Sequence, residues 1–189
     1  MIQRPTIQTS RLLLRPFTEA DAASVQRLAG DREVAATTMN IPHPYPACVA
    51  EQWISTHENA FVAGKTLTLA ATLKDDDALI GAISLLNLSA PHQRGELGYW
   101  VGRDYWSNGY CTEAALAMAE FGFITLGLHR VEGRCLRTNT RSARVMEKVG
   151  LSVEGCLREH VSKWGCFEDI LLFGLLKADW TRSRNHHST

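Results

Sequence analysis

Apolar residues follow two rhythms along this chain. Leu67–Leu73, Ala78–Leu86, Gly95–Val101 and Arg130–Arg137 are short apolar or alternating runs of strand length, the last with Val131, Gly133 and Cys135 on one face. Lys74-Asp-Asp-Asp77 turns the first of these into the second. Ahead of them, Arg11–Phe17 reads as a strand ended by Pro16, and Thr18-Glu-Ala-Asp21 as a capping box opening a helix to about Leu28. Pro42, Pro44 and Pro46 make Thr37–Pro46 a loop, and the spacing predicts a helix from about Ala47 to Val62, stopped by Gly64. Later helices run to about Leu126, closed by Gly127, and from Asn139 to Gly150. In the second, Asn139 or Thr140 caps the start, Lys148 suits the negative C-terminus and Gly150 supplies a left-handed stop. Ser152–Val161 and Phe167–Leu176 read as a hairpin around Trp164-Gly165.

The predicted order is β-α-α-β-β-β-α-β-α-β-β. Consecutive strands, then one strand–helix–strand unit, then a hairpin, make this an α+β domain with a mixed sheet; a doubly wound sheet alternates more regularly. Residues 1–180 are expected to form one domain, and 181–189 a polar, disordered tail.

Composition narrows the function. Lys plus Arg and Asp plus Glu both number 20, so the formal net charge is zero, which argues against non-specific binding to nucleic acid or an acidic membrane. Cys48, Cys111, Cys135, Cys156 and Cys166 are odd in number with no Cys-x-x-Cys, the pattern of free thiols and not of a disulfide framework or zinc site. His186-His187 is too short a run for a metal site. The N-terminus lacks a signal-peptide core, and no apolar run reaches the roughly 18 residues that span a bilayer, so the chain reads as soluble and cytoplasmic.

The segment Asp104-Tyr-Trp-Ser-Asn-Gly-Tyr-Cys-Thr-Glu-Ala114 carries the chemistry. Asn-Gly is a hairpin signal, yet a strong helix-forming run follows it. One reading is a tight strand-to-helix turn. The other is an anion site: Gly109 lets a ligand approach the backbone, and Asn108, Gly109, Tyr110, Cys111 and Thr112 point amides at a phosphate on the positive end of the helix. The standard nucleotide fingerprints, G-x-x-x-x-G-K-[ST] and G-x-G-x-x-G, are absent.

With Gly98-Tyr-Trp100, Trp106-x-x-Gly109-Tyr-x-Thr-Glu-Ala114, Asn139-x-x-Ser142 and Lys148-x-Gly150, the chain resembles the GNAT superfamily of acetyl-CoA-dependent N-acetyltransferases, in its RimJ/RimL-type branch. The resemblance extends from Thr9 to Leu176. It implies a mainly antiparallel sheet with helices on both faces, acetyl-CoA as co-substrate and no metal. Trp106-Ser-Asn-Gly109-Tyr-Cys111 stands where the family has its pyrophosphate loop, with Cys111 in place of Gly or Ala. The strand ending Tyr99-Trp100-Val101 is expected to splay from its neighbour and pair with the pantetheine arm. Asn139 and Ser142 are expected near the pantetheine and the thioester sulfur.

The implied reaction is direct attack of a neutral primary amine on the thioester. It needs a proton acceptor, donors for the oxyanion and help for the leaving thiolate. Glu96 is the candidate base and Ser142 the candidate donor to sulfur; the family's usual tyrosine acid has no counterpart after Asn139. His57 and His129 read as packing or surface, Asp75–Asp77 as a solvated turn, and Glu113 as a complement to the helix dipole. Trp53, Trp100 and Tyr45 are either pocket wall or core. The acceptor is expected to be a protein N-terminal α-amine or a small amine, and the absence of an acidic run leans away from polycations. Homodimer formation is compatible with the pattern, and no direct nucleic-acid or membrane partner is expected. A non-catalytic acyl-CoA-binding module is the alternative; a nucleotide-binding α/β protein fits less well.

Overall fold

The computed structural model describes residues 3–186. Its strands are β1 (Ile7–Gln8), β2 (Leu12–Arg15), β3 (Leu67–Leu73), β4 (Leu79–Ser89), β5 (Arg94–Val101), β6 (Arg130–Leu136), β7 (Ser152–Lys163) and β8 (Cys166–Leu176). Its helices are α1 (Ala22–Ala29), α2 (Arg32–Thr37), α3 (Val49–Val62), α4 (Tyr110–Ile124), α5 (Thr140–Val149) and α6 (Lys177–His186). The strands form one open sheet in the order β1-β2-β3-β4-β5-β6-β8-β7. Every neighbouring pair is antiparallel except β5 and β6. The parallel step is the one α4 makes: it crosses over between β5 and β6, as a parallel pair requires.

Both sheet faces are covered. Leu67, Leu69, Ile83, Leu85 and Leu97 bury against Met118 and Phe123 of α4 and Met146 of α5. Ala70, Leu79 and Ala82 point the other way, to Val25 and Leu28 of α1 and Ile54 of α3. This two-sided burial explains why β3 and β4 are near-continuous apolar runs. On the same face as Ala70 and Ala82, the buried hydroxyls of Thr68 and Ser84 satisfy each other at 3.0 Å.

The elements read from periodicity all form, and three more appear. β1 is only two residues long, too short for a pattern. α2 is one and a half turns, nucleated by Asp31, whose carboxylate accepts from the amides of Glu33 (2.7 Å) and Val34 (3.3 Å). α6 runs through much of the segment expected as a disordered tail. Trp180 is buried beside Phe123 with ring centroids 5.2 Å apart, and Arg184 bonds Glu120 at 2.8 Å. One aromatic anchor orders a stretch whose polar composition hides it; residues 187–189, including His187, lie outside the described residues.

Candidate active site

The parallel step opens the sheet. Pairing between β5 and β6 covers only Arg94–Leu97 against Arg130–Gly133, although β5 continues to Val101 and β6 to Leu136. From Gly98 onward the two strands part, and the edge of β5 facing β6 loses its partner. A cleft of about 440 Å³ occupies this gap and extends to the start of α4. Glu96, Tyr99, Trp100, Val101, Gly109, Tyr110, Cys111, Thr112, Asn139 and Ser142 all line it, so residues scattered over almost fifty positions converge on one space.

The α4 end of the cleft is a helix N-terminus. Gly109 caps it at φ 81°, a left-handed conformation, and the first intrahelical bond runs from the Glu113 amide to the Gly109 carbonyl at 3.0 Å. The amides of Tyr110, Cys111 and Thr112 precede that bond and have no helical partner. The turn is stapled from outside. The Glu113 carboxylate accepts from Thr9 Oγ1 (2.6 Å), Ser10 Oγ (2.9 Å), the Arg11 amide (2.8 Å) and Arg11 Nε (2.7 Å). These donors hold it down at about 2, against partial burial. Arg11 also donates from Nη1 to the Asn108 carbonyl at 3.0 Å and stacks 4.5 Å over Tyr110. Glu113 therefore does more than complement the helix dipole: it locks the chain before β2 onto the loop.

Two expected contacts fall differently. Asn108 does not line the cleft; its carbonyl faces Arg11 and its amide nitrogen donates to the Trp106 carbonyl at 3.1 Å. The Val101 carbonyl is taken by Trp106 Nε1 at 2.7 Å, which leaves Gly98–Trp100 as the freer part of the β5 edge.

Glu96 is buried, with 6% of its surface exposed. A β-bulge in β4 between Leu86 and Ser89 puts Asn87 at φ 50°, and its Nδ2 donates to Glu96 Oε2 at 3.0 Å. Arg134 Nη2 reaches the same oxygen at 2.7 Å. Both bonds go to Oε2, so Oε1 remains the oxygen with capacity for a proton from a ligand.

Across the gap, Asn139 caps α5. Its Oδ1 accepts from the Ser142 amide at 3.0 Å and its Nδ2 donates to the Thr37 carbonyl at 3.0 Å, tying α5 to the end of α2. Its side chain is thus engaged in positioning, while Ser142 Oγ faces the cleft region beside Tyr99, 3.0 Å from the phenol oxygen. Burial pushes the Tyr99 hydroxyl far above its ordinary range, the Cys135 thiol up to about 11 and the Cys111 thiol up to about 12. Neutral thiols are poor nucleophiles, consistent with chemistry that needs none.

Sequence reasoning missed the cationic wall. Arg141, Arg144 and Lys148 share the cleft-facing side of α5, and Arg141 stacks 4.7 Å from the Trp106 ring. Their i, i+3, i+7 spacing was the available signal. Together with Arg134 they outnumber the one carboxylate lining the cleft among the described residues, Glu96. Trp100 lines the cleft and also packs on the core, whereas Trp53 and Tyr45 belong to the core. His57 is buried between Trp53 and Phe17, at 4.4 and 5.4 Å, as packing expects; burial, with Arg4 nearby, lowers it to about 4. Asp76 and Asp77 serve the hairpin turn and Arg15. All five cysteines are free. Among the described residues, no cluster of three potential metal ligands occurs and no helix is long and apolar enough to cross a membrane.

A family model described as "Acetyltransferase (GNAT) domain" matches residues 11–152. The chain is 29% identical over 175 residues to the uncharacterized N-acetyltransferase p20 of Bacillus licheniformis, covering 93% of this chain and 98% of that one. It is 26% identical to the [ribosomal protein uS5]-alanine N-acetyltransferase of Escherichia coli strain K12, over 58% of this chain and 57% of that protein. The fold matches that of Mycobacterium smegmatis RimJ in complex with CoA-disulfide, with TM-score 0.82, 21% identity, and coverage of 96% and 95% of the two chains.

Proposed function

The chain belongs to the GNAT acetyltransferase family, an N-acetyltransferase family that uses acetyl-CoA, and from that premise we propose that it acetylates protein N-terminal α-amines with the donor lying in the β5–β6 gap. The observation that carries this reading is the continuity of the cleft: a helix N-terminus at one end, an unpaired strand edge in the middle, and a buried carboxylate with one open oxygen beyond it.

In this reading the free amides of Tyr110, Cys111 and Thr112 receive the pyrophosphate, with Arg141, Arg144 and Lys148 adding positive charge. The β5 edge at Gly98–Trp100 pairs with the amide groups of pantetheine. When bound, acetyl-CoA supplies an activated acyl group on a thiolate leaving group. The acceptor amine enters from the α2 side, where Thr37, Thr38 and Met39 line the cleft. Glu96 Oε1 takes the amine's proton, directly or through a water, while Asn87 and Arg134 hold the carboxylate on its other oxygen. Ser142 Oγ–H donates to the sulfur.

The choice of acceptor rests on charge and on kinship. A cleft with one carboxylate, already bonded by Arg134, is a poor host for a polycation such as a polyamine. A chain terminus brings one amine and a neutral peptide backbone, and one relative is named as a [ribosomal protein uS5]-alanine N-acetyltransferase.

The test is a turnover screen with acetyl-CoA, read as thiol release. Peptides with free N-termini should give kcat/KM at least tenfold above their N-blocked forms, spermidine and free amino acids. Faster turnover of a small amine than of every peptide would overturn the choice of acceptor, and thiol release no faster than spontaneous hydrolysis with any amine would overturn the site.

A further inference from the structure

Ser142 has a partner whose purpose the mechanism leaves open. Tyr99 projects from β5 across the gap and its hydroxyl sits 3.0 Å from Ser142 Oγ and 3.1 Å from the Ser142 carbonyl oxygen. A phenol has one proton for these two oxygens. The Ser142 carbonyl lies in the first turn of α5, where the helical pattern supplies it with the amide of Met146. The Tyr99 hydroxyl can donate to that carbonyl's second lone pair or to Ser142 Oγ. Because the helix bond already satisfies the carbonyl, it loses little when the phenol proton goes to Oγ.

The direction of that bond decides where the serine's own proton points. If Tyr99 donates to the carbonyl, the close Oγ contact survives only with Ser142 donating back to Tyr99, away from a bound thioester. If Tyr99 donates to Oγ, the serine proton is released to the cleft. We propose that Tyr99 is the positioning residue for Ser142, its hydroxyl donating to Oγ and so turning the serine's proton toward the departing sulfur. This rests on the acetyl-transfer reading above.

The step balances without ionising either hydroxyl. The amine nitrogen forms its bond to the acetyl carbon, and its proton passes to Glu96 and then to water. The C–S bond breaks and its electron pair stays on sulfur. Ser142 donates to that sulfur and Tyr99 donates to Ser142, two bonds in a chain that polarise each other. The thiolate departs as such and takes its proton from water. Enclosure of Tyr99 keeps its proton in place throughout, consistent with its raised pKa.

The experiment is a double-mutant cycle of Tyr99→Phe and Ser142→Ala in the full-length protein, with single-turnover rates for acetyl-CoA and for acetyl-selenocoenzyme A, whose selenol is a more acidic leaving group. Tyr99→Phe is expected to lower the acetyl-CoA rate about tenfold, at or just below the low end of acid-type effects. Acetyl-CoA affinity should hold, and the deficit should shrink with the selenoester. The double variant should be no slower than Ser142→Ala. Full additivity, or a deficit that is the same with both donors, overturns the proposal. A slow Ser142→Ala beside a normal Tyr99→Phe overturns it while leaving the donor role of Ser142 intact; normal rates in both refute that role as well. Should Tyr99→Phe fold poorly, 3-fluorotyrosine at position 99 keeps ring and hydroxyl: its stronger donor should raise the rate with Ser142 present and not in Ser142→Ala, and no rise in either overturns the proposal.

Discussion

Replacing Glu113 by Gln tests whether the loop at the start of α4 is held by charge. The wild-type carboxylate takes four hydrogen bonds, one of them in an ion pair with Arg11, and titrates at about 2 instead of its ordinary 4.5. A difference of about 2.5 at about 1.4 kcal/mol per pKa unit is about 3.5 kcal/mol. Arg11 is 48% exposed, so solvent screens part of this and about 2 kcal/mol is the working value. The sign follows from the depressed pKa: the stabilisation is complete above the unfolded-state value near 4.5 and is lost as pH falls toward 2. Glutamine keeps the shape, one acceptor oxygen and no charge at any pH. The gap between wild type and Glu113→Gln should be about 2 kcal/mol at pH 7, or about 4–8 °C in Tm for a chain of this size. It should fall below half that at pH 3 and vanish near pH 2, measured by urea unfolding with a common m-value. A gap of equal size at pH 7 and pH 3 would mean that packing and neutral hydrogen bonds account for it, and the charge argument would be refuted. A gap under about 0.5 kcal/mol at pH 7 would show that the clamp is solvated away.

Further outcomes are expected at the site itself. Gly109→Val places a branched side chain at φ 81°, where L-residues are strained, and at the mouth of the phosphate subsite; acetyl-CoA affinity should fall tenfold or more by calorimetry in a variant with wild-type circular dichroism, and unchanged affinity would make Asn108-Gly109 a turn only. Glu96→Gln should lower kcat and kcat/KM together by roughly 100-fold with unchanged cofactor affinity; a kcat within about twofold of wild type would assign the proton to another group. Acetyl-CoA should raise the Tm by more than ATP at equal concentration, and an equal shift would contradict a coenzyme A site.

The local elements were legible because each is written in nearby residues. The one-faced alternation of β6, the Asn139 cap and Gly150 stop of α5 (φ 102°), and the glycine at the mouth of α4 are all choices that a short stretch of chain makes alone. The sequence by itself also determined the chemistry types on offer: a helix N-terminus free of an acidic cap, a strand-borne Glu96 and a serine three residues after an asparagine. What it left undecided is contact between segments far apart in the chain. Arg11 and Glu113 are 102 residues apart, Tyr99 and Ser142 43, and Glu96 and Arg134 38. Glu113 read as a dipole complement because its four donors lie before β2, and Tyr99 read as a backbone contact because its side-chain partner is on the far wall of the gap. Residues 181–189 read as disordered because they are polar throughout, yet α6 carries the chain through 186 from Trp180, which sits on Phe123. Hydrogen bonds act over about 3 Å, and only the closure of the sheet decides which residues come that near. The gap has the same origin: nothing local in β5 or β6 stops their pairing at Leu97 and Gly133, and the separation exists only once both strands are placed.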